Sequence, residues 1–325
     1  MASSGDVSFV IPAHDAQAFV EAAIRSALDQ SLPPREVVVV DDGSTDATRE
    51  VIERIASEDA RVRLVRHERN RGHAAALTTG IDAAASPLVA VLDADDLATS
   101  TRLEAQVGLF ADPAVAAVGG GAAFVDVEGR EFARVTYPTG ADEVRARLQS
   151  TSALVHASAT IRTDAVRAVG GYRQAFRLAL DYDLWLRLAE RFDVLNVPEV
   201  VVRYRVHGGQ GSADLERVAV ETVAARIAAD RRRRYGEDGL PSTALTTDEL
   251  RTFLELDQEE LAAAVAAHAL WFGRTLARAG ARRESEEVFA AAIALVEPSA
   301  DLVAQLRAAA EARRHRWFPR VRRGG

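Results

Sequence analysis

The chain has 325 residues, 48% of them hydrophobic and 27% charged, with a net charge of −8, the makeup expected of a soluble globular protein with a sizeable core. It contains no cysteine and no lysine, all 40 basic residues being arginine, which excludes disulfides, thiolate metal sites, cysteine nucleophiles, Schiff-base chemistry and the lysine of a phosphate-binding P-loop. The acidic balance, with a pI of about 5.5, also sets aside a general nucleic-acid binder, whose affinity rests on neutralising phosphates with basic side chains.

The opening MASSGDVSFVIPAHD has no basic stretch followed by a long apolar one, which predicts no signal peptide, and no window reaches the roughly 20 apolar residues of a membrane-spanning helix. The expectation is a cytoplasmic protein, peripheral at the inner membrane face. Strands are predicted at VSFVI (7–11), EVVVV (36–40), RVRLV (61–65), PLVAVL (87–92) and AVAAVGGG (114–121). Helix-like stretches separate them, such as AQAFVEAAIRSALDQ, where Phe19, Ala23, Ala27 and Gln30 recur near helical spacing. This alternation predicts an α/β fold, a mostly parallel sheet flanked by helices, with function in the loops that follow the strands. Those loops read PAHDA, DDGSTD, HERNRG and DADDL. The glycine run in VGGGAAF is followed by strand rather than helix, so it reads as a bulge or tight crossing and not as a dinucleotide fingerprint.

Further along, a helix at GADEVRARLQ, a strand at SATIR, a helix at LDYDLWLRLAERF and a strand at EVVVRYRVH are expected to complete the same domain. Beyond the glycine-rich HGGQGS the pattern turns helical, with a hairpin that turns at Gly280 and stops at Pro298. The expected division is an α/β domain over 1–212 and an α-helical extension over 213–325. The extension ends in ARRHRWFPRVRRGG, whose arginines around Trp317 and Phe318 predict peripheral membrane contact, a partner or a homodimer through the C-terminal helices.

Chemistry concentrates at two acidic strand ends. VLDADDL sets Asp93, Asp95 and Asp96 at the end of a buried strand, where like charges repel unless a cation or a donor-rich ligand compensates. Magnesium or manganese does so, taking one or two protein carboxylates and filling its remaining positions with water and phosphate oxygens. A solvated turn or a helix cap is the alternative for an isolated Asp-x-Asp. In VVVVDDGSTD, Asp41 and Asp42 follow four valines, Gly43 turns the chain, and Ser44 or Thr45 can cap the next helix. An aspartate here can accept a hydrogen bond from a nucleobase N–H or a ribose hydroxyl.

Taken together, VSFVIPAHDAQAFVEAAIRSALDQSLPPREVVVVDDGSTDAT, NRGHAAALTTGIDAA and VAVLDADDL resemble the N-terminal half of family-2 type glycosyltransferases, a GT-A fold group that uses nucleotide-sugar donors. ASATIRTDAVRAVGGYRQAFRLALDYDLWLRLAE is similar to the acceptor-side half and YRVHGGQGS to its ending, so the resemblance covers about residues 7 to 212. It implies a GT-A fold and an inverting, Mn2+- or Mg2+-dependent transfer of sugar from a UDP-, GDP- or dTDP-linked donor to an unknown acceptor hydroxyl, in cell-surface polysaccharide, glycolipid or glycoprotein synthesis.

Position by position, the resemblance implies that Pro12, Ala13 and His14 line the nucleobase and ribose pocket with Asp42, and that Arg71 and Gly72 close it, glycine allowing close approach of the backbone. Asp93, beside Ala94, faces the ribose, and Asp95 ligates the metal. His207 reaches the metal or the diphosphate from a flexible loop. His14-Asp15 stands where the family more often has Tyr-Asn. Asp181 corresponds to the general base of a Glu-Asp-x-Asp-Leu pattern in which Leu180 here replaces Glu. Asp183 is expected to pair with Arg187 at i,i+4, with Leu184, Trp185 and Leu188 facing a core. His156 falls where acceptor-side residues gather, with no role assigned. The competing expectation is a non-catalytic nucleotide-diphosphate-sugar binding or scaffold protein that kept the pocket and lost the base geometry. A sugar nucleotidyltransferase is disfavoured, because its glycine-rich, lysine-dependent triphosphate loop is missing.

Overall fold

The computed structural model describes residues 7–241, 243–296 and 299–311; the expected stop at Pro298 and the arginine-rich tail around Trp317 and Phe318 lie outside them. Among the described residues one sheet holds β1 (Val7–Ala13), β2 (Glu36–Asp42), β3 (Val62–His67), β4 (Leu88–Val91), β5 (Leu97–Ala98), β6 (Val115–Val125), β7 (Glu131–Val135), β8 (Thr160–Arg162) and β9 (Asp193–Arg205). Their spatial order is β3-β2-β1-β4-β8-β6-β9-β5, with β7 alongside β6. The first four strands are parallel, as the alternation predicted. Then β8 enters antiparallel between β4 and β6, and β6 runs parallel to β9, so the sheet as a whole is mixed. The glycine run lies in β6 where its register against β9 shifts, the bulge that the sequence suggested.

Helices α1 (Val20–Leu28), α2 (Thr48–Glu58), α3 (His73–Ala83), α4 (Arg102–Val107), α5 (Ala141–Leu148), α6 (Thr163–Ala168) and α7 (Leu180–Ala189) cover the sheet. The valine run of β2 alternates between two cores. Val38 and Val40 pack with Leu77 of α3 and Leu184 and Trp185 of α7, while Val37 and Val39 pack with Ile24 of α1 and Ile52 and Ile55 of α2. Burial on both faces explains why the run is continuously apolar rather than alternating.

The C-terminal region comprises α8 (Leu215–Tyr235), α9 (Thr247–Leu254), α10 (Gln258–Arg278), α11 (Arg282–Leu295) and α12 (Ala300–Glu311), with the α10–α11 hairpin turning at Gly280 (φ +86°) as expected. The first core runs straight across residue 212: Val220, Val223 and Ala224 of α8 and Leu250 and Leu254 of α9 belong to the same cluster as Trp185. A separate cluster, built on Phe272, Leu276, Phe289 and Leu306, joins α10, α11 and α12 to Phe124 at the end of β6. The extension thus shares its packing with the α/β unit at both ends.

Candidate active site

A cavity of about 1490 Å³ opens at the carboxyl ends of β1, β2 and β4, bounded by the loop after β9 and by α7, α8 and α10. Every residue singled out for the site lines it. Pro12, Ala13 and His14 come from the end of β1, Asp42 from β2, and Arg71 and Gly72 from the turn before α3. Asp93, Ala94 and Asp95 follow β4, Asp181 opens α7, and His207 follows β9.

Asp42 is buried, and its carboxylate is occupied by its own protein. Oδ1 accepts the Arg71 N–H at 2.9 Å and lies 2.6 Å from Nδ1 of His67, while Oδ2 accepts the Gly72 N–H at 2.8 Å. The other nitrogen of His67 lies 2.9 Å from the Thr79 hydroxyl. Asp42 therefore shapes the pocket wall by holding the Arg71–Gly72 turn. Gly72 sits at φ +90°, and a Cβ there would meet no other atom within 4 Å, so left-handed backbone rather than a close approach within the protein calls for glycine. Ser44 and Thr45 do not cap α2. Asp46 accepts the Thr48 N–H at its start, whereas the Ser44 hydroxyl accepts the Asp15 N–H and Asp15 accepts the Thr45 N–H, stitching the loop after β1 to the loop after β2. Asp15 does so at φ +48°, leaving the half-exposed His14 at the cavity mouth.

The acidic end of β4 divides into three environments. Asp95 Oδ2 lies 3.0 Å from Nε2 of His207, both side chains being partly exposed to the cavity. Asp96 is buried and accepts the Arg205 N–H at 2.7 Å, tying this loop to β9; burial and the neighbouring Asp95 and Asp93 push its carboxyl well above the usual range. Asp93 points its buried Oδ1 between two imidazoles, 3.6 Å from Nε2 of His73 and 3.6 Å from Nδ1 of His156, with no hydrogen-bond partner. Burial works against its charge, but His156, His73 and Arg102 together hold the carboxyl below the ordinary value. Burial likewise lowers His73, whereas in His156 Asp93 outweighs burial and raises it. His156 is braced by Tyr172, whose hydroxyl lies 2.9 Å from Nε2.

Donor atoms of His73, Asp93 and His156 all fall within 4.8 Å of one another, a spread that one transition-metal ion can span. His156 has no role in the sequence reading and His73 is missed there, because nothing in their spacing joins them to Asp93; in the fold His73 opens α3, the helix that leads into β4, and the antiparallel β8 brings His156 alongside. Arg102, also missed, is fully buried behind Asp93 and donates to the carbonyls of Val91, Ala157 and Ala159.

Asp181 stands in the first turn of α7. Burial raises its carboxyl above the ordinary aspartate value, with His156 opposing. Two residues on, Asp183 is wholly buried and pairs with Arg187 at 2.7 Å, as expected, and also with Arg173; Leu184, Trp185 and Leu188 are fully buried too. The approach to α7 is held by a residue of the extension. Fully buried Glu221 of α8 accepts the N–H groups of Arg177, Leu178 and Ala179 at 2.9, 2.6 and 2.8 Å, and its charge is met by Arg217 at 2.6 Å.

The loop carrying His207, expected to be flexible, is braced along its length. His207 N–H donates to the Gln210 side chain, which donates in turn to the Tyr204 hydroxyl. His268 of α10 donates from Nε2 to the Ser212 carbonyl at 2.8 Å. Glu284 of α11 packs so close to Gly208 that a Cβ there would fall 2.7 Å from its Cγ.

Comparison with known proteins places this geometry. Residues 8–170 match the family model described as Glycosyl transferase family 2. An uncharacterized glycosyltransferase of Haemophilus influenzae is 34% identical over 130 residues, 40% of this chain and 52% of the relative. The putative teichuronic acid biosynthesis glycosyltransferase TuaG of Bacillus subtilis is 38% identical over 101 residues, 31% of this chain and 40% of the relative. The chain thus matches about half the length of these relatives, or less. Among solved structures, the mannosyltransferase PcManGT from Pyrobaculum calidifontis, in complex with GDP-Man and Mn2+, has a TM-score of 0.57 at 23% identity, covering 95% of this chain and 86% of that one. TarS 1-349 of S. aureus in complex with UDP has a TM-score of 0.51 at 16% identity, covering 96% and 93%. These structures establish a GT-A type α/β fold with a helical C-terminal region. With the family match running from β1 through α6, half of the sequence, the chain belongs to glycosyl transferase family 2.

Proposed function

We propose that this protein is an inverting glycosyltransferase that moves a sugar from a nucleotide-diphosphate sugar to an acceptor hydroxyl. The observation that carries the reading is Asp181, a carboxyl raised by burial, at the head of α7 in the same cavity as Asp93 and Asp95. A carboxylate of raised pKa is a better proton acceptor than an ordinary aspartate. The acceptor oxygen forms its bond to the anomeric carbon as the bond from that carbon to the diphosphate oxygen breaks. The bonding pair leaves with the diphosphate, and the hydroxyl proton passes to Asp181. One displacement inverts the anomeric configuration.

Pro12, Ala13 and His14, with the wall that Asp42 builds from Arg71 and Gly72, are proposed to receive base and ribose, with Asp93, beside Ala94, facing the ribose. Asp95 and His207, 112 residues apart in sequence and 3.0 Å apart in space, are the proposed ligands of a divalent cation. A carboxylate with an imidazole suits Mn2+ and accommodates Mg2+, leaving other positions to water and phosphate oxygens. When bound, the cation would neutralise charge on the departing diphosphate. The name of TuaG supports cell-surface polysaccharide as the product class, and the ligands of PcManGT and TarS support GDP- or UDP-linked donors, with dTDP-linked donors the further candidate. Cytoplasmic placement at the inner membrane face is part of the proposal; among the described residues no helix is long and apolar enough to cross a membrane.

The test is a panel of UDP-, GDP- and dTDP-sugars with Mn2+, read by thermal shift and by donor turnover. A Mn2+-dependent shift with turnover is expected, and Asp181→Asn should lower turnover by about 10²-fold or more while retaining nucleotide binding. Binding without turnover for any donor and acceptor would instead support the non-catalytic nucleotide-sugar reading, which Leu180 in place of an acidic residue favours.

A further inference from the structure

The cavity does not end at the donor residues. It continues between α8 and α10, where Thr222, Arg226, Glu260, Ala267, His268 and Trp271 line it. At about 1490 Å³ it exceeds the roughly 300–1,000 Å³ that holds one small ligand, leaving room for a second substrate beside the donor.

The wall contributed by α10 has an unusual composition. Its inner face, Leu261, Val265, Ala269 and Phe272, is buried. The exposed face at i, i+4 and i+8 is Ala263, Ala267 and Trp271, without charge in a chain that is 27% charged. Two alanines keep the cleft wide, and the indole of Trp271, 42% exposed, stands at its far end. That ring is held by its neighbours: His268 and Phe272 have ring centroids 5.5 and 5.9 Å away, and Phe124 meets it edge-on at 6.5 Å. Polar groups line the rest of the cleft, which runs about 16 Å along α10 from Glu260 to Trp271. Arg226 and Glu260 bridge α8 to α10 at 2.6 Å, and His268, committed through Nε2 to the Ser212 carbonyl, keeps Nδ1 as an acceptor.

We propose that the α8–α10 cleft is the acceptor subsite and that its occupant is a saccharide chain whose pyranose ring stacks on Trp271. A sugar ring has an apolar C–H face and a rim of hydroxyls: one ring matches the exposed aromatic plane beside the His268 imidazole, and further rings of the chain meet the threonine hydroxyl, the arginine and the carboxylate farther along the cleft. A lipid chain would bury the Arg226–Glu260 ion pair and the free Nδ1 of His268 against hydrocarbon, at a cost in desolvation. A protein acceptor would meet a single aromatic anchor at the end of an alanine-lined wall instead of the packed cluster that gives protein interfaces their affinity. The inference rests on the transferase reading above and deepens it, giving the helical extension the task of choosing the acceptor.

The test uses the full chain on a glycan microarray carrying α- and β-linked hexose, hexosamine and deoxyhexose oligosaccharides, with Mn2+ and UDP, GDP or dTDP present. Binding of at least one saccharide class is expected, reduced about ten-fold or more in Trp271→Ala and largely kept in Trp271→Phe, which preserves an aromatic face. Nucleotide affinity, measured on the same variants by calorimetry, reports whether the donor pocket is intact. In wild type, quenching of tryptophan fluorescence by the bound saccharide, absent in Trp271→Phe, locates the ring on the indole. Saccharide binding undiminished in Trp271→Ala, or a blank array from a protein that binds nucleotide, overturns the inference. So does capture by phosphatidylglycerol vesicles with no saccharide bound. A chain that binds none of the three nucleotides overturns the transferase reading beneath it.

Discussion

Glu221 of α8 accepts the backbone N–H of Ala179 at 2.8 Å, so a residue beyond the glycine-rich loop holds the chain two positions before Asp181. Its carboxylate also takes the amides of Arg177 and Leu178 and is itself wholly buried. Replacing it by alanine strands three amides and the Arg217 guanidinium. The expected cost is about 3 kcal/mol or more, read as a lower urea midpoint at unchanged slope. Any folded Glu221→Ala should also lose kcat more than donor affinity, because the head of α7 is no longer pinned. A variant as stable and as active as wild type would remove Glu221 from this role.

Asp181→Asn should lower kcat by about 10²-fold or more while donor binding persists, since an amide cannot take the proton. The wild-type rate should also have an acid limb placed by this residue. Burial raises its carboxyl, so the active, ionised form is lost as pH falls through a value higher than that of an exposed aspartate. The turnover–pH profile checks this. Activity held level down through the ordinary aspartate range would show that the group setting it lies elsewhere.

Asp42→Asn exchanges one acceptor oxygen for a donor NH2 against the Arg71 and Gly72 amides and the His67 ring. An N–H facing an N–H in a buried site should cost about 2 kcal/mol and free the turn before α3. Calorimetry should then show nucleotide affinity weakened along with the melting temperature. An unchanged nucleotide affinity would mean that the Arg71–Gly72 turn does not form the base pocket.

His73, Asp93 and His156 form a donor set richer in imidazole than Asp95 with His207, and imidazole-rich sites favour Zn2+ strongly over Mg2+. Zn2+ added to the Mn2+-loaded protein should therefore inhibit by drawing Asp93 away from the donor, and His73→Ala should relieve the inhibition. Inhibition of equal strength in His73→Ala would place the zinc on Asp95 and His207.

How far the sequence carried depends on the range of each interaction. Strands β1 to β4 and their acidic ends were legible because four valines and a terminal aspartate are local patterns, and Asp183 with Arg187 because i,i+4 is local too. Glu221 was illegible: within RVAVETVAA it reads as one solvated charge on a helix, and only the convergence of three amides from residues 177–179 buries it. Arg102 is similar, two of its partners lying ahead of a strand, β8, whose antiparallel entry the βα alternation did not predict, and His73 meets Asp93 only once α3 and β4 are side by side. The loop after β9 read as flexible from its glycines, yet Gly208 is small because Glu284 presses on it. Ser44 and Thr45 looked like caps because their preferred partner, Asp15, sits 29 and 30 residues away, on a different loop.

Arg102 carries a consequence for recombination between relatives. One guanidinium grips the carbonyl of Val91 in β4 and those of Ala157 and Ala159 just ahead of β8, riveting the first strands to the later part of the sheet along a seam closed to solvent. Chimaeras that splice a foreign C-terminal half onto this N-terminal one would inherit the rivet without its matching holes unless the 157–159 backbone keeps its path. The tolerant crossover points are therefore surface turns that leave Val91, Arg102 and Ala157–Ala159 together in one parent.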